Sequence, residues 1–201
     1  TDIGMAKTIG VGVLGFADLL GQMRPDILLL AADRYELLAP AAVALTLRIP
    51  IAHIEGGEIS EGAIDDSVRN ALTKLAHVHF TSTATARRRV IAMGEEEWRV
   101  HHAGTPSLDH IRRSQLLGVQ ELQERLQFSF AEKPILVAFH PVTIARDTVR
   151  EADAFFAALT ELQDPIVFCF PNADSGSRQL MQRARELAAS RPDCRIFANL
   201  N

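Results

Sequence analysis

The chain has 201 residues, 47% hydrophobic and 23% charged, enough for one large core or two small ones and typical of a globular protein. A net charge of −4 argues against wholesale nucleic-acid binding, which needs a basic face. A local cationic pocket for a phosphorylated small molecule stays open.

Residues 4–23 carry Ile9, Val13, Phe16, Leu19, Leu20 and Met23 at helical intervals, interrupted by glycines that each cost about 1 kcal/mol in a helix interior. Pro25-Asp26 ends that element. Ile27 to Ala32 is apolar throughout, as in a strand covered on both faces, and Asp33-Arg34 terminates it. Tyr35 to Leu47 returns to a helical pattern. Ile51–Ile54 is a strand and 65–76 a helix. Val78–Thr81 is a strand, and Thr83–Met93 a helix closed by Gly94. Val100–Ala103 is a strand ended by Gly104-Thr105-Pro106. Gln115–Gln127 is an amphipathic helix, and Phe128–Lys133 reads as a linker. A second alternation follows: strand from Ile135, helix 149–163, strand from Ile166, helix Ser177–Ser190 and strand from Arg195. Strands alternating with helices predict α/β units with parallel sheets, a domain over 1–127 and another from 134 to 201.

The stretch 50–76 organises the rest. A strand ends in Glu55, two glycines free the backbone, and Glu58 and Glu61 follow before Asp65, Asp66 and Ser67 open a helix. Carboxylates gathered between a strand end and a helix start repel one another, an arrangement that folding alone rarely calls for. In open parallel sheets, ligands bind beyond the carboxyl ends of the strands. Those ends here are Asp33-Arg34, Glu55-Gly56-Gly57, Ser82, Gly104-Thr105, His140-Pro141 and Pro171-Asn172.

Two cysteines, Cys169 and Cys194, make no disulfide framework, and no Cys-x-x-Cys pair suggests structural zinc. No metal set and no cofactor is expected. Nothing reads as a signal peptide or as a spanning run of about 20 apolar residues, so no membrane partner is expected and the cytoplasm is the expected location. Residue 1 is not Met, and the chain stops at Asn201 just after a strand-like run, as expected of a piece of a longer protein.

Several segments together carry a family resemblance. They are Asp33-Arg34-Tyr35-Glu36, His53-Ile54-Glu55-Gly56-Gly57-Glu58, Glu61 to Arg69, Thr73 to His77, Phe139 to Thr143 and Phe170 to Asp174. In that order they resemble the UDP-N-acetylglucosamine 2-epimerases, specifically the hydrolysing branch of sialic-acid-type sugar synthesis. The resemblance implies a GT-B fold of two Rossmann-like, doubly wound domains, truncated here at both ends. It implies a UDP-sugar substrate, UDP-N-acetylglucosamine, and a homo-oligomer when full length. By motif position, Asp33, Glu55 and Asp65 match the family's catalytic carboxylates and His140 its catalytic histidine. Ala32 is a departure, because the family usually has Gly before the Asp-Arg pair.

Arg34, Asn172 and Ser177 are candidates for the diphosphate, and His53, Asp66 and Arg69 for supporting roles. Plainer alternatives stand beside each. Asp33 could cap the helix near Tyr35, Glu55 could be a solvated turn residue, and Asp65 and Asp66 could serve the helix dipole. Asp65 could pair with Arg69, Arg34 with Glu36, and Ser177 could cap its helix. His77 and His79 read as structural, and Arg87-Arg88-Arg89 as a solvated face. The functional alternatives are a non-hydrolysing epimerase, an epimerase for a diacetamido-trideoxy nucleotide sugar, a GT-B glycosyltransferase, or a fragment that only binds nucleotide.

Overall fold

The computed structural model describes residues 2–129, 133–140, 142–144, 147, 149–171 and 176–198. The chain divides into two compact units, Asp2–Ser114 and Gln115–Asn201. The division falls at 114/115, not within the 128–133 stretch read as a linker, and it groups the expected helix Gln115–Gln127 with the second unit rather than with the 1–127 domain.

The first unit holds helices α1 (Asp2–Met23), α2 (Leu38–Leu47), α3 (Asp65–Leu75), α4 (Ala84–Ala92) and α5 (Pro106–Arg113). Its strands are β1 (Leu28–Ala31), β2 (Ile51–Ile54), β3 (Val78–Thr81) and β4 (Val100–His102), in one parallel sheet of order β1-β2-β3-β4. A row across the sheet pairs Leu30, His53, His79 and Val100, all buried. α2 is small and apolar, burying Ala39, Pro40, Ala41, Val43 and Ala44. Pro40 sits in its first turn, where an N–H would have no partner. α1 runs through its glycines. At Gly12 a Cβ would lie 3.0 Å from the Ala39 Cβ, so that glycine lets α1 come close to α2. The glycines conceal a helix that is long and apolar enough, by length and composition alone, to cross a membrane, contrary to the expectation of no such segment.

The sequence pattern gave no sign of α5. Its two large apolar residues, Leu108 and Ile111, are both exposed, so no buried stripe marks it. Pro106 at its first turn starts the helix. Tyr35–Leu47 divides into a 3-10 turn, Tyr35–Leu37, and α2.

The second unit holds α6 (Val119–Leu126), β5 (Ile135–Ala138), α7 (Ala152–Glu161), β6 (Ile166–Cys169), α8 (Ser177–Ser190) and β7 (Cys194–Phe197). Its parallel sheet has the order β5-β6-β7. Phe156 stacks on Phe168 at 5.7 Å in a core shared with Ile166, Leu180 and Leu187. Arg191 closes the unit's lower loops by donating to the carbonyls of Leu159, Leu162 and Asp164 and pairing with Asp193.

Candidate active site

Three strands of the first unit end in a left-handed residue: Ala32 (φ 69°), Glu55 (φ 68°) and, after β4, Gly104 (φ 85°). Only Gly adopts this region without strain, so Ala32 and Glu55 are held there by their surroundings. The Ala32 N–H donates to the Ile54 carbonyl at 3.1 Å, and the Glu55 N–H to the Phe80 carbonyl at 2.9 Å. Each ladder bond continues one residue past its strand before the chain turns. Asp33 leaves the turn after Ala32.

Beneath that turn lies His53, fully buried. Its Nε2 is 2.9 Å from the Ala32 carbonyl and its Nδ1 3.4 Å from the Thr73 hydroxyl. That network assigns the proton to Nε2, which donates to Ala32 while Thr73 donates to Nδ1. Burial pushes the imidazole below its ordinary value, and the Arg69 charge adds to this against the Ala32 carbonyl, Asp33 and Glu55. His53 is therefore a neutral support under the Asp33 turn, and its side chain is not solvent-accessible.

Arg69 is the hub. It sits on α3, is buried, and donates through Nη2 to the Asp33 carboxylate and to Ser60 Oγ at 2.9 Å. Its Nη1 donates to the Glu58 carbonyl at 3.0 Å and lies 3.7 Å from the Asp66 carboxylate. One planar guanidinium thus joins the end of β1 to the loop after β2, a task that its fork of donors suits. Asp66 also accepts from the Ser60 N–H at 3.2 Å and from Asn70. Asp65 is half-buried and starts α3, four residues before Arg69. Asp33 does not cap the 3-10 turn at Tyr35, whose N-cap is Arg34 without a side-chain bond.

The 55–64 loop is clamped against α4. Gly57 has φ 82°, and a Cβ there would lie 2.3 Å from the Ala86 carbonyl. Arg89 donates to the Gly57 carbonyl at 3.0 Å. The Glu58 carboxylate accepts from Ser82 and from Thr83, the N-cap of α4. A carboxylate at that helix start also meets the positive end of the dipole. Arg89 therefore holds a loop, where the sequence reading had only a solvated charge run.

Glu55 accepts a 2.7 Å bond from Thr105 Oγ1, beyond the end of β4. Beside Thr105 a cavity of about 350 Å³ is lined by Ile54, Phe80, Gly104, Leu108 and Arg112, room enough for part of a small ligand. The two carboxylates thus have different partners, Asp33 a guanidinium and Glu55 a hydroxyl.

Arg34 pairs with Glu36 at 3.3 Å, and its guanidinium lies 5.3 Å from the Tyr35 ring centre. His140 is exposed, two residues beyond β5, and Ser177 is buried at the first turn of α8 behind Gly176. Asn172 falls outside the described residues. His101 and His102 are both exposed. His79 is buried against Glu95, which also pairs with Lys74 and Arg99. Among the described residues no group of three or more His, Cys, Asp or Glu is placed to hold a metal. Ser82 and Thr105 lie at strand ends expected to face a ligand, yet the sequence assigns no role to either of them or to Ser60. Their one signal is a hydroxyl at a strand's carboxyl end or inside the carboxylate loop, too common to choose alone.

The sequence pattern of UDP-N-acetylglucosamine 2-epimerases matches residues 1–201. The chain belongs to the UDP-N-acetylglucosamine 2-epimerase family. It is 36% identical over 200 residues to the hydrolyzing UDP-N,N'-diacetylbacillosamine 2-epimerase of Legionella pneumophila, covering 98% of this chain and 52% of that protein. It is 32% identical to the hydrolyzing GDP/UDP-N,N'-diacetylbacillosamine 2-epimerase of Campylobacter jejuni (86% and 45% covered). To the UDP-N-acetylglucosamine 2-epimerase of Neisseria meningitidis it is 34% identical (89% and 47% covered). The chain thus spans about half the length of the curated relatives it matches. Among solved structures, a UDP-GlcNAc 2-epimerase from Neisseria meningitidis, bound to UDP-GlcNAc, superposes with a TM-score of 0.72 at 15% identity, covering 98% of this chain and 55% of that one. The Methanocaldococcus jannaschii enzyme with UDP-GlcNAc and UDP gives 0.72 at 17%, covering 94% and 54%. These likenesses establish the fold: α/β, of the GT-B class, with Rossmann-like parallel-sheet units.

Proposed function

We propose that the protein is a hydrolysing 2-epimerase that converts UDP-N-acetylglucosamine to N-acetylmannosamine and UDP, for sialic-acid-type sugar synthesis. The observation that carries the reading is the edge of the first sheet, where Arg69 holds Asp33 and Thr105 holds Glu55 within an epimerase-family chain. A carboxylate takes the proton from C2 as the C1–O bond breaks and UDP leaves, giving the C1=C2 double bond of 2-acetamidoglucal. Water then adds its hydroxyl at C1, and a proton returns to C2 on the opposite face. Asp33, Glu55 and Asp65 share the acid and base work, since a weakly acidic C–H needs a carboxylate held within hydrogen-bond reach. His140 serves the leaving oxygen or its phosphate, and Arg34, Asn172 and Ser177 the diphosphate. His53, Asp66 and Arg69 position these groups. The two free thiols, Cys169 and Cys194, fit a cytoplasmic setting.

A second substrate is favoured by a specific observation: the Legionella and Campylobacter relatives are named for UDP-N,N'-diacetylbacillosamine. One experiment tests both. The complete protein is incubated in D₂O with each nucleotide sugar. Free 2-epimer carrying deuterium at C2, together with UDP, is the expected result, and the better substrate identifies the sugar. A UDP-linked epimer would overturn the hydrolysing reading, and transfer to an acceptor would point to a glycosyltransferase.

A further inference from the structure

Thr105 is the N-cap of α5, and a threonine there ordinarily turns its hydroxyl onto an N–H of the first helical turn. This one makes no such side-chain bond. Its hydroxyl goes instead to the Glu55 carboxylate at 2.7 Å, and its Oγ1 lies 3.1 Å from the Ser107 Oγ. Starting a helix does not account for where that hydroxyl points.

The direction of these bonds follows from counting protons. A threonine hydroxyl has one proton to donate, and an ionised carboxylate can only accept. Thr105 therefore donates to Glu55 and accepts from Ser107. Ser107 is exposed, whereas Thr105 and Glu55 are half-buried, so the three form a line from solvent to the carboxylate. When Glu55 carries a proton, the line runs the other way. Glu55 gives its proton to Thr105 Oγ1 as Thr105 gives its own to Ser107 Oγ and Ser107 gives its own to water. Glu55 ends as a carboxylate, both hydroxyls are intact and water holds the proton. The partner of Asp33 is the Arg69 guanidinium, which keeps its protons in proteins, so that contact passes none.

The reaction proposed above calls for such a line. One proton leaves C2 on one face of the sugar, and another returns on the opposite face. One group then ends each turnover with a proton too many and another with one too few, and both must be reset. We propose that Thr105 and Ser107 are a proton relay that resets Glu55 against solvent, whichever of the two roles Glu55 takes. They act through Glu55 rather than on the sugar and are positioning residues in that sense. The inference rests on the proposed reaction.

The test is steady-state turnover by the complete protein, with the better of the two nucleotide sugars, over a range of imidazole buffer concentrations at fixed pH and ionic strength. Thr105→Val keeps the shape of the side chain on an extended backbone (φ −105°, ψ 133°) and breaks the line. It is expected to lower kcat about 10- to 100-fold with a smaller change in KM. Ser107→Ala is expected to lower kcat about 3- to 10-fold, because water replaces its hydroxyl in part. In both variants kcat should rise with imidazole and level off, since a small proton carrier stands in for the relay, while the parent is indifferent. Thr105→Ser should recover most of the lost rate without imidazole. Lost packing or a displaced Glu55 would not answer to buffer. A loss in Thr105→Val that imidazole leaves unchanged would therefore overturn the relay, as would Ser107→Ala equal to the parent at every buffer concentration. Ser107 is exposed, so its variant carries the test by itself if Thr105→Val does not fold. No turnover by the parent would overturn the reaction and the relay together; turnover by the parent with both variants indifferent to imidazole would overturn the relay alone.

Discussion

At the scale of single residues, the site depends on backbone angles that side chains dislike. Ala32 stands at φ 69°, a region that favours Gly, and its carbonyl is the acceptor for His53. Ala32→Gly removes a Cβ from the left-handed region and leaves that carbonyl in place. The added chain entropy of Gly offsets part of the gain, so a stabilisation of about 0.5–1 kcal/mol is expected, read from urea denaturation, with turnover changed less than twofold. Arg69 is a different case. Its buried guanidinium serves Asp33, Ser60 and the Glu58 carbonyl together. A lysine keeps the charge but lacks the planar fork. Arg69→Lys is expected to lower kcat about 10- to 100-fold with a smaller change in KM, the sign of a misplaced carboxylate; a shift confined to KM would refute the positioning role.

At the scale of elements, the loop between β2 and α3 is shaped by α4. Arg89, Ser82 and Thr83 all reach it, and Gly57 touches the α4 backbone. Backbone cannot swing aside as a side chain can. Gly57→Ala therefore combines a positive φ with a contact that has no relief. It should cost about 2–3 kcal/mol by chemical denaturation and lower activity through Glu55 and Glu58. A substitution as mild as the average surface change would show that the loop is not clamped. Elements also differ in how readable they are. β2, β3 and α8 have the bounds their patterns predict: β3 and α8 carry a buried face at the period of a strand and of a helix, and β2 is a short apolar run buried almost throughout. α5 has no buried large residue and therefore left no period to read.

At the scale of the whole molecule, two buried imidazoles set a pH dependence. His53 and His79 are both held below the ordinary histidine value, chiefly by burial. Below about pH 6.5 the unfolded chain takes up protons at both, and the folded chain does not. The unfolded state then binds more protons, so stability rises with pH in that window and falls on acidification. Denaturation at pH 8, 6.5 and 5.5 should show a nearly flat upper limb. A loss approaching at most about 1.4 kcal/mol per pH unit for each imidazole should follow below it. His53→Gln should make that loss shallower, provided the variant folds. Glu95 is displaced the opposite way for its own kind: despite burial, Lys74, Arg99 and His79 lower it. Its contribution is present above about pH 4.5 and is lost as pH falls through its lower folded value, a separate and more acid step.

By itself the sequence determined the alternation of strands and helices, hence parallel sheets, and the gathering of acidic residues at strand ends. Both follow from local periodicity and from chemistry carried by adjacent residues. It also carried the motif order that points to the epimerases. Only the tertiary structure decided which partner each group takes: Asp33 with Arg69, Arg34 with Glu36, Glu55 with Thr105, and Arg89 with the Gly57 carbonyl. Most of these pairings join residues far apart in the chain. Many cations and hydroxyls could satisfy the same acid, and the choice among them is made by which strand ends the sheet sets side by side. Local pattern fixes the direction in which a side chain leaves its own element, and packing between elements fixes what it meets.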